Sequence, residues 1–264
     1  MNRYLARSLQ NCLLLRAAHC LLLSAALALC ACASEEQLSR ADSDPWESLN
    51  RGLYKVNDVF DRALLRPIAY GYRKVLPSFV RRGVSNFSDN LLTPRSSVNN
   101  FLQGKPRHGF SDLTRFLFNS TIGIGGLIDV ASAGGLEIYS EDFGQTLAVW
   151  GVPDGPYTYL PLFGPRTLRD ALALPIDIRS DLLFHYDNTS VRDRIYVLRI
   201  IDIRARSFTV DALLKDSKDR YLSIRESYLQ NRRFKIYDGN PPEDEDFYDD
   251  FFDEEFDESD TGND

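Results

Sequence analysis

The glycines of the stretch RFLFNSTIGIGGLIDVAS, residues 115–132, are the first candidates for chemistry in this sequence. Gly123, Ile124 and Gly125 spell G-x-G, which is how a dinucleotide-binding loop begins. That fingerprint requires a third glycine three positions later, where a helix packs closely on a strand, but the residue there is Ile128. A nucleotide P-loop requires Lys followed by Ser or Thr, and no such pair follows. We therefore expect no nucleotide cofactor.

Two histidines, His108 and His185, are the candidates for metal or acid–base chemistry outside the first 32 residues. Neither lies in a His-x-x-x-His or Glu-x-x-His pattern, so the spacing does not favour a zinc site. The nucleophile motif G-x-S-x-G is missing, although residue types alone leave a Ser-His-Asp triad open. We expect no metal, and we expect both histidines to be surface or capped loop residues.

The first 32 residues have the pattern of a bacterial lipoprotein signal. Basic residues and no acidic residue accompany the short apolar run CLLLSAALALCAC, which is too short for a membrane span. Leu29 lies three positions before Cys32 and the small Ala31 lies directly before it, as in the lipobox, whereas Cys30 follows the large Leu29. We expect removal of residues 1–31 and a covalent acyl and diacylglyceryl lipid on Cys32. An ordinary signal peptide is the alternative.

The residues around Cys32 also predict the redox state and the address of the mature chain. The other three cysteines leave with the signal, so no disulfide or cysteine-based metal site is expected. Ala33 and Ser34 follow Cys32, and neither is the aspartate that favours retention in the inner membrane of such lipoproteins. We expect residues 32–43 to form a lipidated tether and the destination to be the outer membrane.

Charge separates the body of the chain from its end. Residues 241–264 hold thirteen acidic residues and no basic one, whereas residues 33–240 hold 28 Lys and Arg against 25 Asp and Glu. Because so dense a block of like charge cannot compensate the entropy of folding, we expect a disordered acidic tail over residues 240–264. Docking of its aromatic residues in a partner's basic groove is the alternative.

The body, residues 44–239, has the apolar periodicity of helices. Four helices are predicted in its first half: one from near Pro45, one from Phe79 to Leu92 that stops at Pro94, a short one in SSVNNFLQGKP, and one that Ser111 caps. The short helix is expected to turn Val98, Phe101 and Leu102 inward. The segments VRDRIYVLRIIDIRARS and YLSIRESYLQNRRF predict two more helices. No long stretch alternates as a sheet requires, so the predicted class is all-α in one helical domain.

Two apolar segments do not fit ordinary helices. Residues 116–128 carry no charge and include three glycines, and residues 143–165 carry one charge with four prolines and four glycines. A proline inside a helix costs about 3 kcal/mol, so neither a spanning helix nor regular structure is expected in the second segment. Such backbone must be buried in protein or line a cavity beside lipid, because hydrocarbon cannot satisfy its amides.

Six segments resemble, in order, the MlaA (VacJ) family of outer-membrane lipoproteins, over roughly residues 44–239. They are DPWESLNRGLYKVND, RPIAYGYRKVLP, VSNFSDNLLTPRSSVNNFLQGKP, TRFLFNSTIGIGGLIDVA, FGQTLAVWGVPDGPYTYLPLFGPRTLRD and RESYLQNRRFKI. The block GVPDGPYTYLPLFGPRTLRD is the most specific, because few unrelated proteins combine those prolines and glycines. The acidic tail departs from the family pattern.

The resemblance implies a ring-like helical protein in the membrane interface, at the inner leaflet and periplasmic face of the outer membrane beside trimeric porins. Members of the family are not enzymes. They remove mislocalised phospholipids from the outer leaflet and pass them to a soluble periplasmic carrier, which maintains lipid asymmetry. Behind a lipobox, the phosphates available to the basic segment YGYRKVLPSFVRRG are those of lipids, so no nucleic-acid partner is expected.

The two apolar segments suggest the wall of a lipid conduit, with asparagines as headgroup-facing groups. The candidates are Asn86, Phe87, Asn99, Asn100, Phe101, Phe116, Asn119, Gly123, Gly125, Gly126, Tyr157 and Tyr159. Asparagines near helix ends also serve as caps, and the glycines also suit a plain core turn. Two other functions stay open: a porin-associated structural tether without lipid transfer, and a phospholipase.

Overall fold

The computed structural model describes residues 44–215 and 217–242. The elements below, from Glu47 to Ile236, belong to one compact unit. The predicted signal peptide, Cys32 with its tether, and the acidic tail from residue 243 onward lie outside the described residues.

Helices make up most of the described chain. Helix α1, Glu47–Phe60, continues through a π-helical turn, Asp61–Leu65, into α2, Arg66–Val75. The remaining elements are α3 (Ser78–Leu102), α4 (Pro106–Thr121), α5 (Val130–Ala133), α6 (Phe143–Val149), β1 (Tyr157–Leu160), β2 (Gly164–Thr167), α7 (Leu168–Ser180), a 3-10 turn (Leu182–His185), α8 (Thr189–Arg206), α9 (Phe208–Leu213) and α10 (Arg220–Ile236). This order confirms the all-α class, with one small sheet added.

Helix α3 differs from its prediction, because it does not stop at Pro94. Proline has no N–H, so the carbonyl of Asn90 loses its helical partner. The helix continues because both halves are held by side-chain hydrogen bonds: Asn90 donates to Ser120 on one side of the proline, and Ser97 donates to the carbonyl of Gly109 on the other. The segment predicted as a separate short helix is therefore the end of α3.

The inward face at the end of α3 and the first residue of α4 also differ from prediction. Val98, Phe101 and Leu102, which were expected to face inward, are 57%, 40% and 43% exposed. Helix α4 begins at Pro106 instead of after Ser111, since proline at the first helical position needs no hydrogen bond for its nitrogen. Local periodicity located these helices but not the side that packs inward.

Regular structure also occurs in residues 143–165, where none was expected. Asp142 caps helix α6 by accepting the backbone N–H of Gln145 at 2.9 Å. Strands β1 and β2 form an antiparallel hairpin with Tyr157 opposite Thr167 and Leu160 opposite Gly164. The sequence did not predict strands of four residues, because the partners that stabilise them lie on helix α1.

The described residues bury polar side chains and expose apolar ones. Twenty-three polar or charged residues are buried against eight hydrophobic ones, and forty large hydrophobic side chains are exposed. The six buried residues of α3 are all serine or asparagine: Ser88, Asn90, Ser96, Ser97, Asn99 and Asn100. A soluble domain has the opposite arrangement, so this part of the chain is built for an apolar environment.

A conventional core exists beside the hairpin. Tyr157, Tyr159 and Tyr221 are buried together, and the side chains packed on them include Leu53 and Leu229. We call these three tyrosines the tyrosine core. Within the described residues, no helix is long and apolar enough to cross a membrane.

Candidate functional site

A cavity of about 320 Å³, lined mainly by polar and charged residues, lies between helices α3 and α4 and residues 138–141. Its lining is formed by Asn86, Asp89, Asn90, Leu92, Thr93, Arg95, Ser96, Asp112, Arg115, Asn119, Asp129, Ile138, Tyr139, Ser140, Glu141 and Arg206. The volume is at the lower end of the range for small-molecule sites, roughly 300–1,000 Å³. The cavity therefore suits a small polar group.

Helical spacing brings the α3 residues of the lining together. Asn86, Asn90 and Thr93 follow one another at intervals of four and three, so they share one face of the helix. Asn90 is 4% exposed and donates from Nδ2 to the Ser120 hydroxyl at 2.9 Å. Its Oδ1 is buried and has no hydrogen-bond partner among the described residues.

Arg115 holds one side of the cavity by pairing with Asp129. Its Nη2 donates to both oxygens of that carboxylate at 3.0 Å, and its Nη1 donates to the Leu136 carbonyl at 2.5 Å. Asn119 donates to the same carboxylate at 3.0 Å and accepts the Ala131 N–H. Burial opposes ionisation of Asp129, but the hydrogen bonds and the arginine charge outweigh it and lower the pKa of Asp129.

Asp112 is a buried residue on the opposite side of the cavity. Its Oδ2 lies 2.6 Å from the Ser96 hydroxyl and accepts the Asn100 amide at 3.0 Å. The Ser96 oxygen in turn accepts the backbone N–H of Glu141 at 3.0 Å. Burial raises the pKa of Asp112 to about 6, because these hydrogen bonds and the charge of Arg115 only partly offset the loss of hydration.

The outer face of helix α4 is apolar. Leu113, Leu117, Phe118 and Ile122 are 40% to 66% exposed. The buried positions of the same helix are Gly109, Asp112, Arg115 and Asn119. The amphipathic helix therefore turns its polar side toward the protein interior and its apolar side outward, the reverse of a helix on a soluble domain.

The glycine-rich turn after α4 packs against the cavity wall. Ile124, Gly125 and Gly126 all have positive φ, at 55°, 67° and 93°. A Cβ on Gly126 would lie 2.7 Å from Nδ2 of Asn90, so the turn contacts a lining residue directly. An isoleucine in the left-handed region is strained, and it is 65% exposed here.

Comparison with known proteins identifies the chain's relatives. The profile described as MlaA lipoprotein matches residues 42–235, which include every residue that lines the cavity. Proteins named intermembrane phospholipid transport system lipoprotein MlaA, from Shigella flexneri and Escherichia coli strain K12, are each 38% identical over 207 residues. The match covers 77% of this chain and 82% of each relative. The chain belongs to the MlaA lipoprotein family.

Two further comparisons agree with MlaA membership. A protein of the same name from Haemophilus influenzae is 33% identical over 223 residues, which are 82% of this chain and 89% of that protein. A solved structure, described as the structural basis for maintenance of bacterial outer membrane lipid asymmetry, is 38% identical with a TM-score of 0.65. It covers 74% of this chain and 99% of its own.

The four asparagines predicted as headgroup-facing groups occupy two kinds of position. Asn86 and Asn119 line the cavity. Asn99 and Asn100 are buried beside it, where Asn99 accepts the Thr146 hydroxyl at 2.7 Å and Asn100 donates to Asp112. None of the four is the capping residue of α3 or α4, but Asn119 accepts the backbone N–H of Ala131 in the first turn of α5, as a capping side chain does.

The predicted aromatic residues are not gathered at the cavity. Phe87 and Phe116 are half-buried, and Phe101 is exposed with its ring 5.1 Å from that of Phe110. Tyr157 and Tyr159 belong to the tyrosine core and do not line the cavity. The sequence could not separate these groups, because aromatic residues pack equally well in a core and at a membrane surface.

The predicted glycines have different surroundings. Gly123 is buried, and a Cβ there would lie 2.1 Å from the carbonyl oxygen of Ile128, so only glycine fits. A Cβ on Gly126 would clash with Asn90, as described above. A Cβ on Gly125 would meet no atom within 4 Å, so only its left-handed backbone favours glycine.

Sequence reasoning missed all seven charged residues of the lining, which are Asp89, Arg95, Asp112, Arg115, Asp129, Glu141 and Arg206. One signal for them existed. Asp112, Arg115 and Asn119 recur at intervals of three and four in a helix whose other face is apolar. The sequence predicted a helix here with Ser111 as its cap, but it did not indicate which face is buried.

The two histidines lie in a helix and in the 3-10 turn. His108 lies in helix α4 and stacks on the Tyr139 ring with centroids 3.9 Å apart, so it is not the loop residue that was expected. His185 is exposed, with Nε2 2.7 Å from the Arg179 carbonyl oxygen. Among the described residues, no cluster of three or more histidine, cysteine, aspartate or glutamate side chains could hold a metal ion.

Proposed function

We propose that this chain is a lipid-anchored outer-membrane protein that removes phospholipids from the outer leaflet and passes them to a soluble periplasmic carrier. The names of its MlaA relatives and the lipid-asymmetry role of the solved relative support this proposal. The anchor is the lipid on Cys32, and trimeric porins are the neighbours in the membrane. The chain acts at the inner leaflet and periplasmic face, without catalysis.

The physical problem for such a protein is the transfer of lipid tails. A phospholipid with some thirty methylenes loses on the order of 20 kcal/mol if it leaves hydrocarbon for water, at about 0.8 kcal/mol per methylene. A passive protein lowers this barrier only if the tails stay in an apolar environment while the headgroup crosses a polar one. It needs an apolar exterior beside a polar interior.

The reversed burial of helices α3 and α4 is the observation that carries the proposal. The exposed side chains Leu117, Phe118 and Ile122 give the tails an apolar surface. On the inner side of the same helices, Asn86 and Arg115 line a cavity of headgroup size. A tether needs no such cavity, and this argues against the purely structural alternative.

The test measures outer-leaflet phospholipid in intact cells that lack the gene, with an amine-reactive probe that does not cross the membrane. A wild-type copy restores a low signal. We expect copies with Cys32→Ala or Asn86→Leu to leave the signal as high as in the deletion strain. The matched control is Asn231→Leu, because Asn231 is exposed on helix α10 far along the chain from the cavity residues.

Other outcomes would favour the rival functions. If the deletion leaves surface phospholipid unchanged, the chain does not transport lipid. If Asn86→Leu protein reaches the outer membrane, melts like the wild type and restores asymmetry fully, the tether is the better account. Production of lysophospholipid by the purified protein would favour the phospholipase.

A further inference from the structure

The charges of the cavity are not balanced. Three arginines line it, Arg95, Arg115 and Arg206, together with four carboxylates. Two pairs are closed within the protein: Arg115 with Asp129, and Arg206 with Asp89 at 3.0 Å. The remaining lining charges are Arg95, Asp112 and Glu141.

Both remaining carboxylates are buried without a cation. Asp112 is 1% exposed and Glu141 is 5% exposed. Neither makes an ion pair with any arginine or lysine in the described part of the chain. Burial raises the pKa of each of them, and the charges of Arg115 near Asp112 and of Lys105 near Glu141 only partly offset it, so neither carboxylate has a full counter-ion. A cation in the cavity would supply it.

The unpaired amide oxygen of Asn90 also favours a cationic ligand that carries N–H groups. Asn90 lines the cavity, is 4% exposed, and its Oδ1 accepts no hydrogen bond from any described residue. A buried acceptor without a donor is unfavourable, so a ligand that brings N–H groups would satisfy it. Three acceptor side chains of the lining therefore lack a partner. The Asn90 amide oxygen lacks a hydrogen-bond donor, and Asp112 and Glu141 lack a paired cation.

Arg95 provides the opposite charge in the same cavity. Its nearest carboxylate oxygen belongs to Asp177, at 4.0 Å from Nε. That Nε is buried and makes no hydrogen bond within the described residues. The guanidinium is thus the one lining cation that no carboxylate holds at short range, and guanidinium groups recognise phosphate well.

We infer that the cavity selects phospholipids with a zwitterionic amine headgroup of the ethanolamine class. The ammonium lies against Asn90 Oδ1, Asp112 and Glu141, and the phosphate lies against Arg95. An anionic headgroup without an amine leaves both carboxylates uncompensated and adds negative charge beside them, so the site discriminates against it. This inference rests on the proposed function and specifies its substrate class.

The experiment uses the full-length protein in detergent micelles that contain equal amounts of three phospholipids with identical acyl chains. These are phosphatidylethanolamine, phosphatidylglycerol and N-acetyl-phosphatidylethanolamine, in which the amine is neutral. Native mass spectrometry identifies the bound intact lipid. We expect phosphatidylethanolamine to be enriched over each of the others by at least about tenfold, the effect of one unmet charged hydrogen bond.

Variants assign the enrichment to the cavity. Glu141→Gln and Asp112→Asn should reduce the enrichment toward the mixture ratio while phospholipid remains bound. Arg95→Gln should weaken binding of phosphatidylethanolamine and phosphatidylglycerol alike. Glu137→Gln is the matched control, because this exposed carboxylate accepts the Tyr139 hydroxyl and does not line the cavity. Thermal melting confirms that each variant is folded.

The outcomes separate the two proposals. Equal binding of the three lipids by the wild type overturns the headgroup inference and leaves the transport function standing. Enrichment that Glu141→Gln and Asp112→Asn do not change also overturns it, since the amine is then recognised elsewhere. Absence of any bound phospholipid overturns both proposals.

Discussion

The tyrosine core and the cavity region, defined as helices α3 and α4 with residues 129–141, bury opposite kinds of side chain. Beside the hairpin, the three tyrosines are buried together against leucines, with the rings of Tyr157 and Tyr221 at a centroid distance of 6.2 Å. Between α3 and α4, the buried groups are amides, hydroxyls, carboxylates and one guanidinium. The first region excludes water from an apolar interior, and the second holds a polar interior inside an apolar surface.

The two regions also use hydrogen bonds differently. In the tyrosine region, Asn50 of helix α1 donates to the Tyr157 carbonyl and accepts the Tyr159 N–H, at 3.0 and 2.9 Å. Asn57, two turns later, repeats this with Leu160 and Leu162. These amides pair with the open edge of strand β1, so they complete a backbone ladder. In the cavity region side chains also bond to one another: Asp112 accepts from Asn100, and Asp129 accepts from Arg115 and Asn119.

A buried charge network joins helix α10, which carries Tyr221, to helix α7 and to Asp142, the residue that directly follows the cavity region. Arg232 of α10 donates to Asp142 at 2.6 and 2.7 Å and to Asp170 at 2.7 Å, and Tyr228 donates to Asp170 at 2.5 Å. Burial opposes these charges, but the direct contacts with Arg232 outweigh it and hold the pKa of Asp142 well below its ordinary value. Gly144 lies so close that a Cβ would be 2.4 Å from Asp170.

The comparison is tested most strongly by removing one aromatic ring from each region. Tyr221→Ala should lower the free energy of unfolding by about 3–5 kcal/mol, because it opens a cavity in a packed core. Phe118→Ala removes an exposed ring and should change it by about 0.5 kcal/mol or less. Denaturant unfolding in the same detergent measures both. Equal losses would mean that Phe118 packs within the fold, and the contrast would fail.

The second prediction replaces a buried polar group of the cavity region with an apolar one of similar size. Asn119→Leu leaves Asp129 short of one hydrogen bond and the Ala131 N–H without an acceptor. The expected loss in the free energy of unfolding is about 2–3 kcal/mol, although leucine is the more hydrophobic residue. Asn231→Leu on exposed helix α10 is the control. A stabilised Asn119→Leu protein would show that the cavity region follows the rule of an apolar core.

The smallest effect concerns the pH dependence of stability. The pKa of Asp112 is about 6 in the folded protein, against 3.8 ordinarily. A carboxyl group whose pKa rises on folding favours the folded state only when protonated, so wild-type stability falls as pH rises from about 4 to about 6. Asp112→Asn should lack this fall and be about 1 kcal/mol more stable at pH 7, the scale of one pKa unit.

Melting temperatures at pH 5 and pH 7 measure this difference. Asp187→Asn, at an exposed position, should keep the pH dependence of the wild type. If Asp112→Asn is less stable than the wild type at pH 7, the ionised carboxylate contributes more as a hydrogen-bond acceptor than its burial costs. Its contribution to folding stability would then be enough to explain why a carboxylate is buried at position 112.

Much of the fold could be predicted from the sequence, but the side that packs inward could not. The helices at Glu47–Phe60, Thr189–Arg206 and Arg220–Ile236 were located by apolar periodicity. The inward positions Tyr221 and Arg199 show why periodicity was not enough: one is apolar and the other charged, on helices of similar pattern. The hairpin was missed because its stabilising partners, Asn50 and Asn57, lie more than 100 residues earlier.

The sequence by itself determined the helical class, the family and the two faces of each amphipathic helix. These follow from local residue order, because side chains three and four positions apart share a face. Only the tertiary structure decided that Asp112, Arg115 and Asn119 lie inside and Leu117 and Phe118 outside. A periodic pattern is the same whether water or hydrocarbon surrounds the helix, and the surrounding medium decides which face is buried.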